Sequence, residues 1–525
     1  MTMCAKTLRQ YVTRCIVIAC SVKVILTVAS LLNVQPADDQ SAGGSVAPMA
    51  APQLHALAGD DMDKAKEKIE AKVCHTDESR FIRCDDVTLP HGQDILRRNH
   101  VWQYAQTPGY TFYALNVYYD NRHHLHKLRI LAELQAPVDR SHHMRDTHDV
   151  FALLWYTDTS MTSQPPLCAR LTREDFLMAP WWQMNNQQLA SVHYTLELPS
   201  NCTAPQYVSI ATSCCPQQPL TTLLKVIVSA KPATPSDKLG ACIKPVFGNL
   251  TYRNASYIVS WLESMRHFGV HRAHVFHDAL TTDQTVRNVF QHYVDTGFIT
   301  FEHIPHCLEK TGMTSRMNDA LSQSLVTPIM NDCFYRHLHD YSYTLHIDYD
   351  EILVPRRHNA TYGALIARHM TQHPRDVNAV AVCARSAYFY LYAPPGSPEQ
   401  PSYLPTYRHT LRQPAEIPGV TDTIGVGVRK CFQSNRHSRL MSIHSGSRLQ
   451  PHEGVAVTSL AMLDHETELL IHHYRWTCKI RRRCATEASR SFDDKVCHQH
   501  TVLRQQIIRV LRKVGYFDSD KANAG

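Results

Sequence analysis

The chain has 525 residues, 44% of them hydrophobic, with a net charge of +7 and a pI near 8.6. That length accommodates two or three domains of ordinary globular composition. The positive charge is diffuse and no basic stripe is interleaved with aromatic residues, which excludes a nucleic-acid binder. The short run Lys479-Ile-Arg-Arg-Arg483 is either a solvated cluster or a holder of phosphate, and the 33 histidines are scattered.

Lys6, Arg9 and Arg14 precede a mostly apolar stretch, Cys15 to Val34, with Asp38 and Asp39 after it. About 20 apolar residues span a bilayer as a helix, and positive charge ahead of the span keeps that end in the cytosol. The pattern predicts a cytosolic tail over 1–14 and a type II signal anchor over 15–34. Lys23, within the span, costs about 2.5–3.5 kcal/mol on the insertion scale. The alternatives are a cleaved signal peptide or a buried helix. Anchor and cleaved signal both send the rest of the chain into the secretory pathway. Residues 35–73, rich in Ala, Pro, Gly, Ser and Asp, read as a stem.

A β-rich domain is predicted over 74–235. Tyr110–Tyr119, Lys127–Ala132, Val150–Tyr156 and Thr222–Val228 are β-prone runs bounded by polar turns, which suggests an antiparallel arrangement. Three of the 17 cysteines (Cys4, Cys15, Cys20) lie at the N-terminus, leaving fourteen from Cys74 onward. An even number without paired C-x-x-C spacing predicts disulfides in an oxidising lumen. Sequons at Asn201, Asn249, Asn254 and Asn359 agree.

From residue 236 the rhythm changes. Ala241–Phe247 reads as a strand. Tyr257, Ile258, Trp261, Leu262, Met265 and Phe268 share one helical face that Gly269 ends, and Arg272–His277 is the next strand. Strand–helix–strand implies a parallel sheet. Gly297–Glu302, Asn378–Cys383 and Ser386–Tyr392 are further strands, with a helical stretch broken at Pro328 between the first two. Tyr343–Ile347 then runs into Asp348-Tyr349-Asp350-Glu351. Carboxylates packed this tightly repel one another and persist where something positive sits between them. Asp-x-Asp alternates along an extended chain, so both acids can face one side and meet a divalent cation carrying a nucleotide-sugar diphosphate. The bland reading is a solvated acidic turn.

Several landmarks in order carry a family resemblance: Cys242–Gly248, Val259–Val270, Asn331–Phe334, Ile347–Pro355, Lys430–His444 and His473-Tyr-Arg475. The stretch from about Ala241 to Trp476 resembles glycosyltransferase family 92, and Tyr118–Asp120 and Trp155-Tyr156 extend the likeness toward the β-rich segment. Ser260, where an acid is expected, and Ile352, where Phe is usual, depart from the pattern. The resemblance implies an α/β fold of GT-A type over 236–525: an open nucleotide-sugar-binding sheet flanked by helices. It implies an inverting, Mn²⁺- or Mg²⁺-dependent transferase using a UDP-sugar, with UDP-galactose as donor. The implied partners are a nucleotide sugar and a glycan acceptor, such as fucose on an N-glycan core or a β-galactan chain. The expected location is the Golgi membrane, with the catalytic domain lumenal.

Under that reading Asp350 contacts the metal directly, and Asp348 reaches it through water or binds ribose hydroxyls. His473 is either a third metal ligand or a packed core histidine. Arg475 or Lys479 binds the diphosphate, or both are surface cations. Lys244 contacts the nucleotide or fills the sheet edge. The general base that an inverting reaction needs is sought among Glu351, Glu453, Asp464 and Glu466. Two rival readings stand beside it: a glycoside hydrolase, whose carboxylates would be about 5–10 Å apart, and a non-catalytic glycan-binding protein.

Overall fold

The computed structural model describes residues 80–107, 109–122, 126–137, 149–156, 164–175, 187–200, 202–232, 234, 236–308, 325–391, 396–412, 429–441, 460–475, 491–493 and 500–518. The predicted tail, anchor and stem lie outside them, as do Asn201, Glu453 and Lys479. Among the described residues no helix is long and apolar enough to cross a membrane. Residues 70–525 group as one compact unit, which contains two sheets.

The first sheet is built mainly from β1 (Thr111–Asp120), β2 (Lys127–Pro137), β3 (Phe151–Trp155), β4 (Gln187–Glu197), β5 (Tyr207–Ala211) and β6 (Leu224–Val228). Pairings β1–β2, β2–β4, β3–β5 and β5–β6 are antiparallel. The expectation of a purely antiparallel domain needs one correction: β6 pairs with β1 in parallel. β6 stitches two antiparallel halves together, and the sheet curls so that Ile130 and Leu134 of one half share a core with Leu154 and Val208 of the other.

The second sheet opens with β7 (Leu239–Leu250), α1 (Tyr252–His267), β8 (Val270–Thr282), α2 (Gln284–Asp295) and β9 (Ile299–His303). Thr251 N donates to Asn254 Oδ1 at 2.9 Å at the start of α1, and Gly269, at φ +99°, supplies the left-handed residue that ends it. Every residue of α1 from Ala255 to Met265 is buried, because strands and helices pack around it. Next come α3 (Val326–Arg336), β10 (Tyr343–Ile347), β11 (Glu351–Pro355), α4 (Tyr362–Gln372), β12 (Ala381–Tyr390), β13 (Arg429–Ser434), β14 (Leu469–Arg475) and α5 (Thr501–Lys513). Pro328 lies in the first turn of α3, where its missing N–H costs nothing, so it opens that helix and does not interrupt it. The two strands predicted on either side of residue 384 are the single strand β12.

β9, β8, β7 and β10 are adjacent and parallel. The chain moves outward from β7 to β8 and β9, then returns to the other side of β7 as β10. The strand order therefore reverses between β7 and β10, and ligands of open α/β sheets bind at the carboxyl ends of strands at such a point. β13 and β12 continue the sheet in antiparallel fashion. β14 runs parallel to β12 and antiparallel to β11.

The two sheets share an apolar cluster in which Trp102, Tyr118 and Leu131 meet Phe276, Ile329 and Phe334. Disulfides join Cys84 to Cys215 and Cys168 to Cys214 in the β-rich part, and Cys242 to Cys333 and Cys383 to Cys431 in the α/β part. The cysteine count predicts disulfides; which cysteines pair is not legible from their spacing.

Candidate functional site

The acidic motif does not lie along an extended strand. Tyr349 and Asp350 carry the chain round a turn between β10 and β11, closed by Glu351 N donating to Asp348 O at 3.2 Å. The predicted alternation of facing acids is corrected accordingly: Asp348 and Glu351 converge on Lys430, while Asp350 meets His473.

Asp348 faces cations. Its Oδ1 is 3.0 Å from Lys430 Nζ, and its Oδ2 is 3.5 Å from Lys244 Nζ. Lys244 on β7 and Asp348 after β10 thus bridge the reversal point of the strand order. Glu351 points inward and is fully buried. Its Oε2 lies 3.2 Å from Lys430 Nζ and accepts from Asp348 N at 3.2 Å, and its Oε1 is 3.2 Å from His473 Nδ1. Burial pushes the Glu351 pKa up, Lys430 offsets part of this, and the Asp348 charge adds to it. Burial acts to lower the Lys430 pKa, but Asp348 and Glu351 outweigh it and raise it.

Asp350 faces the other way. With a side chain 35% exposed, it is more open than Asp348 or Glu351, and its Oδ2 is 3.3 Å from His473 Nε2. Strand register explains the meeting, since Glu351 pairs with His473 across β11 and β14, and Tyr474 N donates to Asp350 O at 2.8 Å. Arg475 Nε donates to His473 Nε2 at 3.0 Å, and its guanidinium lies 5.4 Å from the centre of the Tyr388 ring.

Arginine only donates, so His473 Nε2 is an acceptor there and the imidazole proton belongs on Nδ1, beside Glu351. Nε2 and Asp350 Oδ2 then face each other as two lone pairs. Burial acts to raise the Asp350 pKa, yet positive charge at His473 holds it below its ordinary value. Geometrically, a proton on Nε2 or a divalent cation between the two atoms would each relieve the opposition of the lone pairs. Either would take the single Nε2 lone pair that accepts from Arg475, so Arg475 must turn aside; a carboxylate behind the imidazole, here Glu351 at 3.2 Å from Nδ1, is the usual support for a metal-binding histidine. With Arg475 turned aside, Asp350 Oδ2 and His473 Nε2 fit as two ligands of a divalent cation. Among the described residues no cluster of three or more His, Cys, Asp or Glu side chains is arranged to enclose a metal. Asp348, turned to the lysines, is missing from the expected trio.

Two of the proposed bases lie elsewhere. Asp464 Oδ1 accepts from Glu466 N and from Thr467 N and Oγ1, and Glu466 pairs with Arg412 at 3.1 Å. Both precede the Leu469 end of β14, while His473 lies toward the other. Lys430 escaped sequence reasoning as a site residue because it stands 82 residues from Asp348, and no spacing rule connects them. A cavity of about 850 Å³ lined by Arg80, Lys127, Arg173, Glu174, Tyr194 and Arg439 lies against the β-rich sheet and shares no residue with the acidic turn.

Acids and bases thus pair at the carboxyl edge of a parallel sheet where the strand order reverses, the place at which open α/β sheets bind their ligands. Residues 237–511 match glycosyltransferase family 92, and the chain belongs to that family. No curated protein matches it in sequence. Among solved structures, TarS 1–349 from S. aureus is similar at 14% identity over 29% of this chain and 36% of that one, with a TM-score of 0.18. The apo structure of the bifunctional glycosyltransferase WbbM is similar at 10% identity over 32% of this chain and 27% of that one, with a TM-score of 0.17. This chain thus spans about a third of each, and at such TM-scores no chemistry transfers from the likeness.

Proposed function

We propose that this glycosyltransferase moves galactose from UDP-galactose onto a hydroxyl of a fucosylated or galactosylated glycan, with inversion, in the lumen of the secretory pathway. The observation that carries the reading is the Asp350–His473 pair, with Oδ2 and Nε2 3.3 Å apart and Glu351 3.2 Å from the far ring nitrogen.

Breaking the anomeric C–O bond builds negative charge on the departing diphosphate. Mn²⁺ or Mg²⁺ held by Asp350 and His473 would neutralise part of it. Arg475, beside Tyr388 and released from His473 Nε2 by the cation, would offer its N–H groups to phosphate oxygens. Lys244 adds charge from the neighbouring strand end. Asp348, fixed by two ammonium groups, is placed to accept hydroxyls of the nucleotide, in keeping with its expected ribose role. Glu351 touches no ligand and is a positioning residue that orients His473. Glu453, outside the described residues, stays the candidate base for the acceptor proton.

The test is release of UDP from UDP-galactose by the purified chain, with and without Mn²⁺, before and after adding a fucosylated or galactosylated acceptor. Acceptor-stimulated, chelator-sensitive release of UDP supports the proposal. Turnover that ignores both chelator and nucleotide sugar would overturn it.

A further inference from the structure

The sequons are not equivalent once placed on the fold. Asn249 lies at the carboxyl end of β7, opposite Thr281 of β8. Asn254 sits in the first turn of α1, its Oδ1 bonded to Thr251 N at 2.9 Å, with the sequon serine Ser256 only 3% exposed. Both occupy the sheet edge onto which Lys244, Asp348 and Asp350 open.

Asn359 lies at the other edge. β11 starts beside His473 at Glu351 and runs away from the site to Pro355, and Asn359 follows in an exposed turn closed by Ala360 N donating to Arg357 O at 3.4 Å. Just beyond, Tyr362 N donates to Phe268 O at 2.9 Å, at the end of α1 and before β8 begins. This is the amino edge of the parallel strands. Asn359 holds φ +57°, a left-handed conformation that asparagine tolerates better than most residues. Its sequon threonine, Thr361, caps α4 by accepting from Ala364 N at 3.3 Å.

We propose that Asn359 carries an N-linked glycan while Asn249 and Asn254 stay bare. The inference rests on the secretory reading above. In the transfer, Asn359 Nδ2 forms a bond to C1 of a lipid-diphosphate-linked oligosaccharide. The C1–O bond breaks, the lipid diphosphate leaves, and one amide proton is released. A glycan at Asn359 projects into solvent at the edge opposite the site, whereas one at Asn249 or Asn254 would stand over the edge where a nucleotide sugar enters. The turn thus serves as a tolerated attachment point that leaves the crevice open.

The test is site mapping of the full chain expressed in a eukaryotic cell. Amidase removal of N-glycans in ¹⁸O-water converts each occupied Asn to labelled Asp. Conversion at Asn359 and none at Asn249 or Asn254 is expected. Asn359→Asp, which keeps a residue tolerant of left-handed backbone and leaves the Thr361 cap in place, should lose one glycosidase-sensitive mobility step with unchanged turnover. Two outcomes overturn the proposal: an unconverted Asn359 in a chain protected from protease inside intact vesicles, or conversion at Asn249 or Asn254. A chain open to protease and unlabelled throughout sinks the secretory reading itself, and the glycan with it.

Discussion

Asp348 and Glu351 both reach the ammonium of Lys430, at 3.0 and 3.2 Å, and that ammonium is 1% exposed. Removing one partner of such a buried set leaves the others unpaired, at a cost of about 3–5 kcal/mol. Lys430→Met is therefore expected to lower the urea-unfolding free energy by about that amount, with Lys430→Arg milder because the charge remains. Asp350 behaves differently because it is partly open. Asp350→Asn should fold with a near-native melting temperature yet lose about 3–4 kcal/mol of transition-state stabilisation, a hundred- to thousandfold fall in UDP release. A folded Asp350→Asn enzyme with wild-type turnover would show the acidic turn to be structural. Glu133 on β2 gives a pH signature. Burial raises its pKa from 4.5 to about 8, and Ser191 offsets little of this. Between those values the folded state holds a proton that the unfolded state has released. Stability from this group should fall by about 1.4 kcal/mol per pH unit as pH rises from about 4.5 to about 8, then level off. Glu133→Gln should remove that slope in chemical denaturation measured across the range.

At the scale of elements, the β-rich sheet grips the segment that follows the Lys430 strand. Arg122, at the end of β1, chelates Asp120 at 2.8 Å and donates Nη1 to Asn435 O at 2.6 Å and Ser438 O at 2.7 Å. Asn435 in turn accepts from Thr344 Oγ1 of β10 at 2.8 Å, the strand that delivers the acidic turn. Asp332 of α3 forms a second tie, accepting from Asn116 Nδ2, Tyr118 OH and Arg336 Nη2 at 2.5, 2.6 and 2.6 Å. Each buried donor left unpaired costs about 1–3 kcal/mol. Asp332→Ala, which takes this partner from all three and leaves the buried Tyr118 hydroxyl without it, is expected to lower the unfolding free energy by more than an exposed substitution such as Asp85→Ala. Equal effects in parallel denaturation curves would contradict the tie.

Across the whole molecule the two sheets share one apolar cluster, so neither should be stable alone. A fragment beginning at residue 236 would expose the faces of Phe276, Ile329 and Phe334 that meet Trp102, Tyr118 and Leu131. It is expected to aggregate or melt well below a chain that retains residues 80–235, as read by scanning fluorimetry. The four described disulfides should each contribute about 2–4 kcal/mol. Thiol labelling of the native chain should leave Cys307 unmodified until unfolding, since it is free but buried.

Local periodicity was enough to reveal several elements: the α1 face from Tyr257 to Phe268, the strand leading to Asp348, and the β-prone runs at residues 111–120 and 127–132. These signals depend on neighbours within one or two turns of chain, which a linear reading can see. The same reading singled out Asp350, His473 and Arg475, and it identified the family from the order of its motifs. It misjudged the acidic motif as extended, because whether Asp-x-Asp continues a strand or turns a corner depends on which strand receives Glu351. That partner is β14, whose His473 lies 123 residues from Asp350. Lys430 was invisible as a counter-ion for the same reason. Pairings across such separations leave no periodic trace, so the opposed directions of Asp348 and Asp350, and the division of the sequons between the two edges of the sheet, were decided only when the strands came together.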